Sequence, residues 1–260
     1  MSSADDHALA RDLAAEAGQR LLDLRARGGD PDLLRKAGDR QSHEFLTAAL
    51  AARRPGDVVL SEEGADNPAR LTASRVWIVD PLDGTREFGE PGRTDWAVHV
   101  ALWQRTGSAG TGELTAGAVA LPAQGQILST AAPAGRRPGP ETDARVRIVV
   151  SRTRAPRLVQ DISDLIEAEL VPMGSAGAKV AAVVCGQADA YVHAGGQYEW
   201  DSAAPVAVAV AAGLHCSRID GSALAYNQPD PVLPDILICP TVLAKPLLDA
   251  IAEAGASRPA

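Results

Sequence analysis

The chain has 260 residues, 46% of them apolar, and a formal net charge of −8. That apolar content is enough for one sizeable core or for two lobes sharing an interface. The negative balance argues against a nucleic-acid polymer as partner, since its binders need a basic stripe; an anionic small molecule stays open, because a bound metal inverts the local field.

In chain order, Asp5–Arg27 reads as an amphipathic helix, with Leu9, Leu13, Ala17 and Leu21 at helical spacing. Gly28-Gly29-Asp30-Pro31 ends it, and a second helix is expected from about Arg40 to Arg54, closed by Pro55-Gly56. Val58-Val59-Leu60 is a short apolar strand that ends in Ser61-Glu62-Glu63-Gly64. Val76-Trp77-Ile78-Val79 is another, predicted to stop at Asp80 because Pro81 cannot donate to a ladder. Asp80 and Asp83 lie three apart around that turn, so their carboxylates can converge beyond the strand end. Gly84 permits close backbone approach, and Thr85 can open a short helix whose N-terminus is a phosphate seat. Two hard carboxylates beside such a seat suggest magnesium, although Asp-Pro and Asp-Gly are also ordinary turn dipeptides.

Asp95–Trp103 is a strong strand, and His99 within it reads as a core or hydrogen-bonded histidine. Leu114–Pro122 and Gln126–Ala131 are two more strands. Ala132–Asp143, rich in Pro, Gly and charge, is the expected linker, dividing the chain into an N-terminal lobe over 1–135 and a C-terminal lobe over 144–260. The second half starts with a strand over Val146–Val150 that lands on Ser151-Arg152, and continues with a helix from Arg157 to Leu170. Gly174-Ser175-Ala176-Gly177-Ala178-Lys179 opens a helix through Cys185 but lacks the Gly-Lys-Ser/Thr ending of a P-loop. A short strand over Ala188–His193 leads through Gly195-Gly196 to Tyr198-Glu199-Trp200-Asp201, where a helix from Ser202 to Ala212 begins. Ile236–Cys239 is a last strand and Thr241–Ala254 a last helix.

Cys185, Cys216 and Cys239 show no zinc or Cys-x-x-Cys spacing and fit reduced thiols of a cytoplasmic protein. The acidic N-terminus does not resemble a signal peptide, and the longest apolar run, Ala203–Leu214, is too short for a bilayer and holds Pro205. No membrane partner is expected.

Asp80-Pro81-Leu82-Asp83-Gly84-Thr85, with Glu62-Glu63 upstream and Trp200-Asp201-Ser202-Ala203-Ala204 downstream, resembles the inositol monophosphatase superfamily of magnesium-dependent, lithium-sensitive phosphatases. The resemblance implies an α/β fold, a five-layered α-β-α-β-α sandwich with the site at the lobe junction. It also implies two or three Mg2+ ions: Glu62, Asp80 and the Leu82 carbonyl around the first, and Asp80, Asp83 and Asp201 around the second. Thr85 and Glu62 or Glu63 would position the attacking water, and the Gly84 and Thr85 amides would grip the phosphate. The family's Thr-x-x-Asp helper of a third metal matches Lys36-Ala37-Gly38-Asp39 only at Asp39, with Lys36 in place of Thr. Gly174, Ser175 and Lys179 become candidates for the non-scissile end of the substrate, with a solvated lysine at a helix start the equal alternative for Lys179.

Within the superfamily, Asp83-Gly84-Thr85-Arg86-Glu87-Phe88, Ser61-Glu62-Glu63 and Val150-Ser151-Arg152 resemble the CysQ-type branch. That branch removes the 3′-phosphate of 3′-phosphoadenosine 5′-phosphate, in support of sulfate assimilation. Tyr198, Trp200, Arg152 and Lys179 could supply the aromatic platform and cations a nucleotide needs. Inositol 1-phosphate or fructose 1,6-bisphosphate hydrolysis is the alternative within enzymes, and a non-catalytic metabolite-binding regulator the alternative outside them. Homodimers are common in the family, but no stretch of the chain shows an interface. Asp83→Asn is expected to abolish hydrolysis and spare the fold.

Overall fold

The computed structural model describes residues 3–107, 111–133, 145–153 and 155–256. Two long helices, α1 (Ser3–Ala26) and α2 (Pro31–Arg53), precede a five-stranded sheet of β1 (Val58–Ser61), β2 (Arg75–Asp83), β3 (Ala97–Arg105), β4 (Gly112–Leu121) and β5 (Gln126–Ser129) in sequential order. A short helix, α3 (Thr85–Gly89), interrupts it after β2. The second half holds β6 (Arg147–Ser151), α4 (Arg157–Ile166), β7 (Glu169–Met173), α5 (Ala176–Val184), β8 (Ala190–Ala194), α6 (Glu199–Ala211), β9 (Leu214–Ser217), β10 (Asp235–Pro240) and α7 (Thr241–Ala256). Its sheet order is β7-β6-β8-β10-β9.

Three apolar clusters define the layering. Trp77 and Val79 of β2 and Val98, Val100 and Leu102 of β3 pack on Leu9, Leu13, Leu21 and Leu46 of α1 and α2. Their strand neighbours Val76, Ile78, Ala97 and Ala101 point the opposite way, as the two-residue period requires, and meet α5 and α6. Those helices also pack on the second sheet, whose far face, with Ile148, Val150, Leu237 and Cys239, is covered by α4 and α7. The result is the α-β-α-β-α sandwich. Its middle helices are Ala- and Val-rich, as suits helices buried between two sheets, since a helix apolar all round is a buried one. The linker expected over 132–143 and the lobe boundary it marks lie almost wholly outside the described residues.

Several boundaries move, each for a local reason. α2 starts nine residues before the expected Arg40, because Asp30 accepts from the amides of Asp32 and Leu33 and Pro31 fills the first turn. The Gly-Gly-Asp-Pro break is thus a helix cap, and Asp39 lies inside α2. β2 does not stop at Asp80: pairing lapses across Pro81 and Leu82 and resumes at Asp83 opposite Ala97, which makes a bulge. The helix expected to reach Leu170 ends at Glu167 in the left-handed region (φ 52), freeing Glu169–Met173 to pair parallel with β6. β9 pairs with β10 and carried no clear period in the sequence. All three cysteines are free thiols. No described helix is long and apolar enough to cross a membrane.

Candidate active site

The bulge at the end of β2 aims Asp80 and Asp83 toward the middle layer. It is held by the Ser42 hydroxyl, which donates to the Pro81 carbonyl at 2.7 Å, and by the Leu82 amide, which donates to Asp80 Oδ1 at 3.0 Å. Gly84 adopts φ +83, and a Cβ there would lie 3.1 Å from Ser175 Cβ and 3.2 Å from the Asp95 carbonyl. Only glycine meets both demands. Thr85 Oγ1 lies 3.0 Å from the Leu82 carbonyl and 3.2 Å from Asp39 Oδ1.

Asp83 is also a helix cap across the two halves of the molecule. Its Oδ2 accepts from the Ser175 hydroxyl (2.5 Å) and the Gly177 amide (2.6 Å), and its Oδ1 from the Ala176 amide (3.1 Å), all at the N-terminus of α5. Ser175 adopts φ 51, and its Oγ in turn accepts from the Ala178 amide. His99, fully buried and paired with Asp80 across β2 and β3, puts Nε2 3.2 Å from Asp83 Oδ2. Its Nδ1 lies 3.1 Å from the Trp200 carbonyl, which can only accept. The Trp200 carbonyl requires a proton on Nδ1, and the Asp83 carboxylate beside Nε2, close but not aligned for a hydrogen bond, favours the charged ring. Burial opposes that charge, but Asp83 outweighs it and raises the His99 pKa. Burial likewise pushes Asp83 up, yet His99, Ser175 and the Gly177 amide bring it down to about 2.

The other carboxylates shift the opposite way. Asp80, Asp83 and Asp201 each present an oxygen within 4.8 Å of the others. Asp201 sits in the first turn of α6, its Oδ2 accepting from the Tyr198 amide at 2.7 Å. Burial, then the Asp83 charge, raise its pKa to about 7. Burial, then Glu62, Asp83 and Asp201, hold Asp80 well above the usual range. Glu62 is exposed as a residue, yet burial of its carboxyl, with the Asp83, Glu63 and Asp39 charges nearby, raises its pKa to about 7. Asp39 rises to about 6 by burial and Glu63, against the Thr85 hydrogen bond. Among the described residues no Lys or Arg forms an ion pair with Glu62, Asp80 or Asp201. A cluster this acidic, with only His99 beside it to offset the charge, has the donor set of a hard divalent cation site: all oxygens, with the helices α3, α5 and α6 starting around it.

The candidate substrate groups are placed less uniformly. Arg152 binds Glu87 Oε1 and Glu90 Oε1, both at 2.9 Å, and is committed to tying α3 to the second half. Lys179 is neither solvated nor open to a ligand: its buried ammonium donates to the carbonyls of Ser175 (2.8 Å), Gly174 (3.3 Å) and Met173 (3.5 Å). Burial lowers its pKa. The Gly174 amide donates to Asp95 Oδ2 at 2.6 Å, and a side chain there would run into Glu87. Tyr198 is 42% exposed and stacks on Trp200, ring centroids 4.7 Å apart and planes 6° from parallel, beside Asp201.

Sequence reasoning did not foresee the Asp83 cap or the ion pair of His99. Its one available signal was a polar residue inside an apolar strand that pairs with the Asp80 strand.

The whole described molecule answers to one family. The sequence matches the Inositol monophosphatase family over residues 6–255, and the chain belongs to that family. It is 55% identical over 248 residues to the 3′-phosphoadenosine 5′-phosphate phosphatase of Mycobacterium tuberculosis, covering 92% of this chain and 90% of that one. It is 32% identical to the 3′(2′),5′-bisphosphate nucleotidase CysQ of Escherichia coli K12 over 205 residues, covering 74% and 78%. The crystal structure of CysQ from Bacteroides thetaiotaomicron superposes with a TM-score of 0.76 at 26% identity, covering 91% and 97%.

Proposed function

We propose that this chain is a magnesium-dependent, lithium-sensitive phosphatase that removes the 3′-phosphate of 3′-phosphoadenosine 5′-phosphate, giving AMP and phosphate. The observation that carries this reading is the cluster of Asp80, Asp83 and Asp201, short of positive charge where three helices begin. The names of relatives at 55% and 32% identity support the substrate.

Glu62, Asp80 and the Leu82 carbonyl would hold one Mg2+, and Asp80, Asp83 and Asp201 a second. The bound metal supplies an activated water and neutralises phosphate charge. The chain's own residues do the rest. Glu62 or Glu63, at the end of β1, would position the attacking water. Thr85, within reach of Asp39 and the Leu82 carbonyl, orients what lies beside it. The amides of Gly84 and Thr85 would grip the phosphate. His99 keeps Asp83 ionised, so that carboxylate stays an acceptor. The exposed face of Tyr198, backed by Trp200, is the platform for the adenine. Arg152 and Lys179 support the loops around the site and leave the second phosphate to other groups. The reading includes a homodimer and a cytoplasmic location, the latter supported by three free thiols.

Phosphate release in Mg2+, with and without millimolar-scale lithium, tests the reading on the bisphosphate nucleotide, inositol 1-phosphate and fructose 1,6-bisphosphate. A strong nucleotide preference lost in lithium is expected, with a raised KM in Tyr198→Ala. Preference for either sugar phosphate overturns the substrate; no turnover by folded, Mg2+-binding protein overturns the enzyme.

A further inference from the structure

Arg70 is fully buried, yet no step above uses it. It lies in a short helical turn, Pro68–Leu71, that follows the Glu62-Glu63 segment. All five of its guanidinium N–H groups are used. Nε donates to Asp66 Oδ1 (2.6 Å), and one terminal nitrogen to Asp66 Oδ2 (3.1 Å) and the Pro229 carbonyl (3.3 Å). The other terminal nitrogen donates to Asn227 Oδ1 (3.0 Å) and the Gln228 carbonyl (2.8 Å). Asn227 returns a bond from Nδ2 to the Arg70 carbonyl at 3.0 Å. A buried arginine with every donor matched fixes geometry in a way a lysine, with three donors and no planar fork, cannot reproduce.

The loop it grips is the one that holds the start of α6. Asn227 adopts φ 58, and its amide and that of Gln228 donate to the two carboxylate oxygens of buried Glu199 at 2.6 and 2.7 Å. The Glu199 amide donates to the Pro231 carbonyl (2.8 Å), the Leu233 amide to the Gln197 carbonyl (2.8 Å), and Ser202 Oγ meets the Tyr226 hydroxyl at 3.1 Å. Glu199 is two residues before Asp201, the one carboxylate of the cluster that the second half supplies. A continuous run of bonds therefore joins the segment carrying Glu62 to the turn carrying Asp201, through Arg70, Asn227 and Glu199.

We propose that Arg70 is a positioning residue: acting through Asn227 and Glu199, it sets where Asp201 stands relative to Asp80 and Asp83, and so sets affinity for the divalent cation. The inference rests on the metal reading above. Groups that contact a metal ligand directly are worth roughly 10–100-fold in affinity when removed, and Arg70, which acts two contacts further back, is expected at the lower end.

The test is calorimetric Mg2+ binding to the full chain, with melting temperatures in chelator to establish that each variant is folded. The variants are Arg70→Met, Arg70→Lys and Asn227→Gly, each alone and combined with Asp201→Asn. Glycine at 227 keeps the left-handed backbone and deletes only the side chain. Arg70→Met and Asn227→Gly are expected to weaken Mg2+ binding roughly 10-fold, with Arg70→Lys recovering little. In the Asp201→Asn background the same changes should have almost no further effect, because residues acting in series are not additive. A merely structural role would lower the melting temperature and leave Mg2+ affinity unchanged, which overturns the proposal. Equal losses with and without Asp201 also overturn it. If Arg70→Met does not fold, Asn227→Gly carries the same cycle. Failure of the unaltered protein to bind Mg2+ would instead remove the metal reading itself.

Discussion

Replacing Asp201 by Asn should make the metal-free protein more stable, and more so the higher the pH. Asp201 has its pKa raised from 3.8 to about 7 by burial and the Asp83 charge. An acid whose pKa is higher in the fold than in the unfolded chain holds an extra proton when folded. The Asp201 contribution to stability is therefore fullest below about pH 4, falls as pH rises toward 7, and is flat above it. The gap of roughly three units, at about 1.4 kcal/mol each, is on the order of 4 kcal/mol. Part of that relief is shared, because Glu62 and Asp80 ionise more readily once the Asp201 charge is gone. A net gain of about 2–4 kcal/mol at pH 8 remains, roughly 5–10 °C in melting temperature for a chain this size. Asn keeps an oxygen for the Tyr198 amide, so the helix start is not lost with the charge. The assay is thermal melting in chelator from pH 5 to pH 8, repeated with saturating Mg2+. Metal should raise the melting temperature of the unaltered protein most at high pH and that of the variant far less. A variant melting at or below the unaltered protein at pH 8 in chelator would refute the reasoning, because the carboxylates would not then be repelling one another.

Asp83→Asn is expected to behave in the opposite way, and the expectation that it spares the fold is revised. It removes the charge that caps α5 and faces the buried His99 ring, so it should cost about 3–5 kcal/mol, read by urea unfolding. Gly177→Ala should also destabilise, by about 1–3 kcal/mol, because the added methyl would collide with the His99 ring; unchanged melting would show that the ring has room to move. At the far end of the first sheet, Asp6 holds Arg54 at 2.8 Å and Arg75 at 3.0 Å. Burial raises its pKa, but the two arginines outweigh burial and lower it. Its contribution is thus present above about pH 4 and lost as pH falls through the lowered value. Asp6→Asn should be clearly less stable at pH 7, with the difference shrinking in acid, as followed by pH-jump melting.

The sequence alone determined the local pieces: strands that end in acids, Gly84 where the backbone must come close to a neighbour, the amphipathic faces of α1, and the order of motifs that marks the family. Periodicity and turn chemistry are local properties, and they survive being read one window at a time. Tertiary structure decided everything that depends on which strand lies beside which. His99 reads as a core or hydrogen-bonded histidine and is both, but its partners could not be named, because Asp83 and the Trp200 carbonyl are 16 and 101 positions away in the chain. Arg152 and Lys179 looked like free cations for a phosphate, yet Glu87, Glu90 and three carbonyls had already claimed them. β7 hid at a sheet edge, half-exposed and without a clean alternation. Charges acquire their roles from neighbours brought in by packing of the two halves, and only the folded molecule says which cations are balanced and which carboxylates are left short.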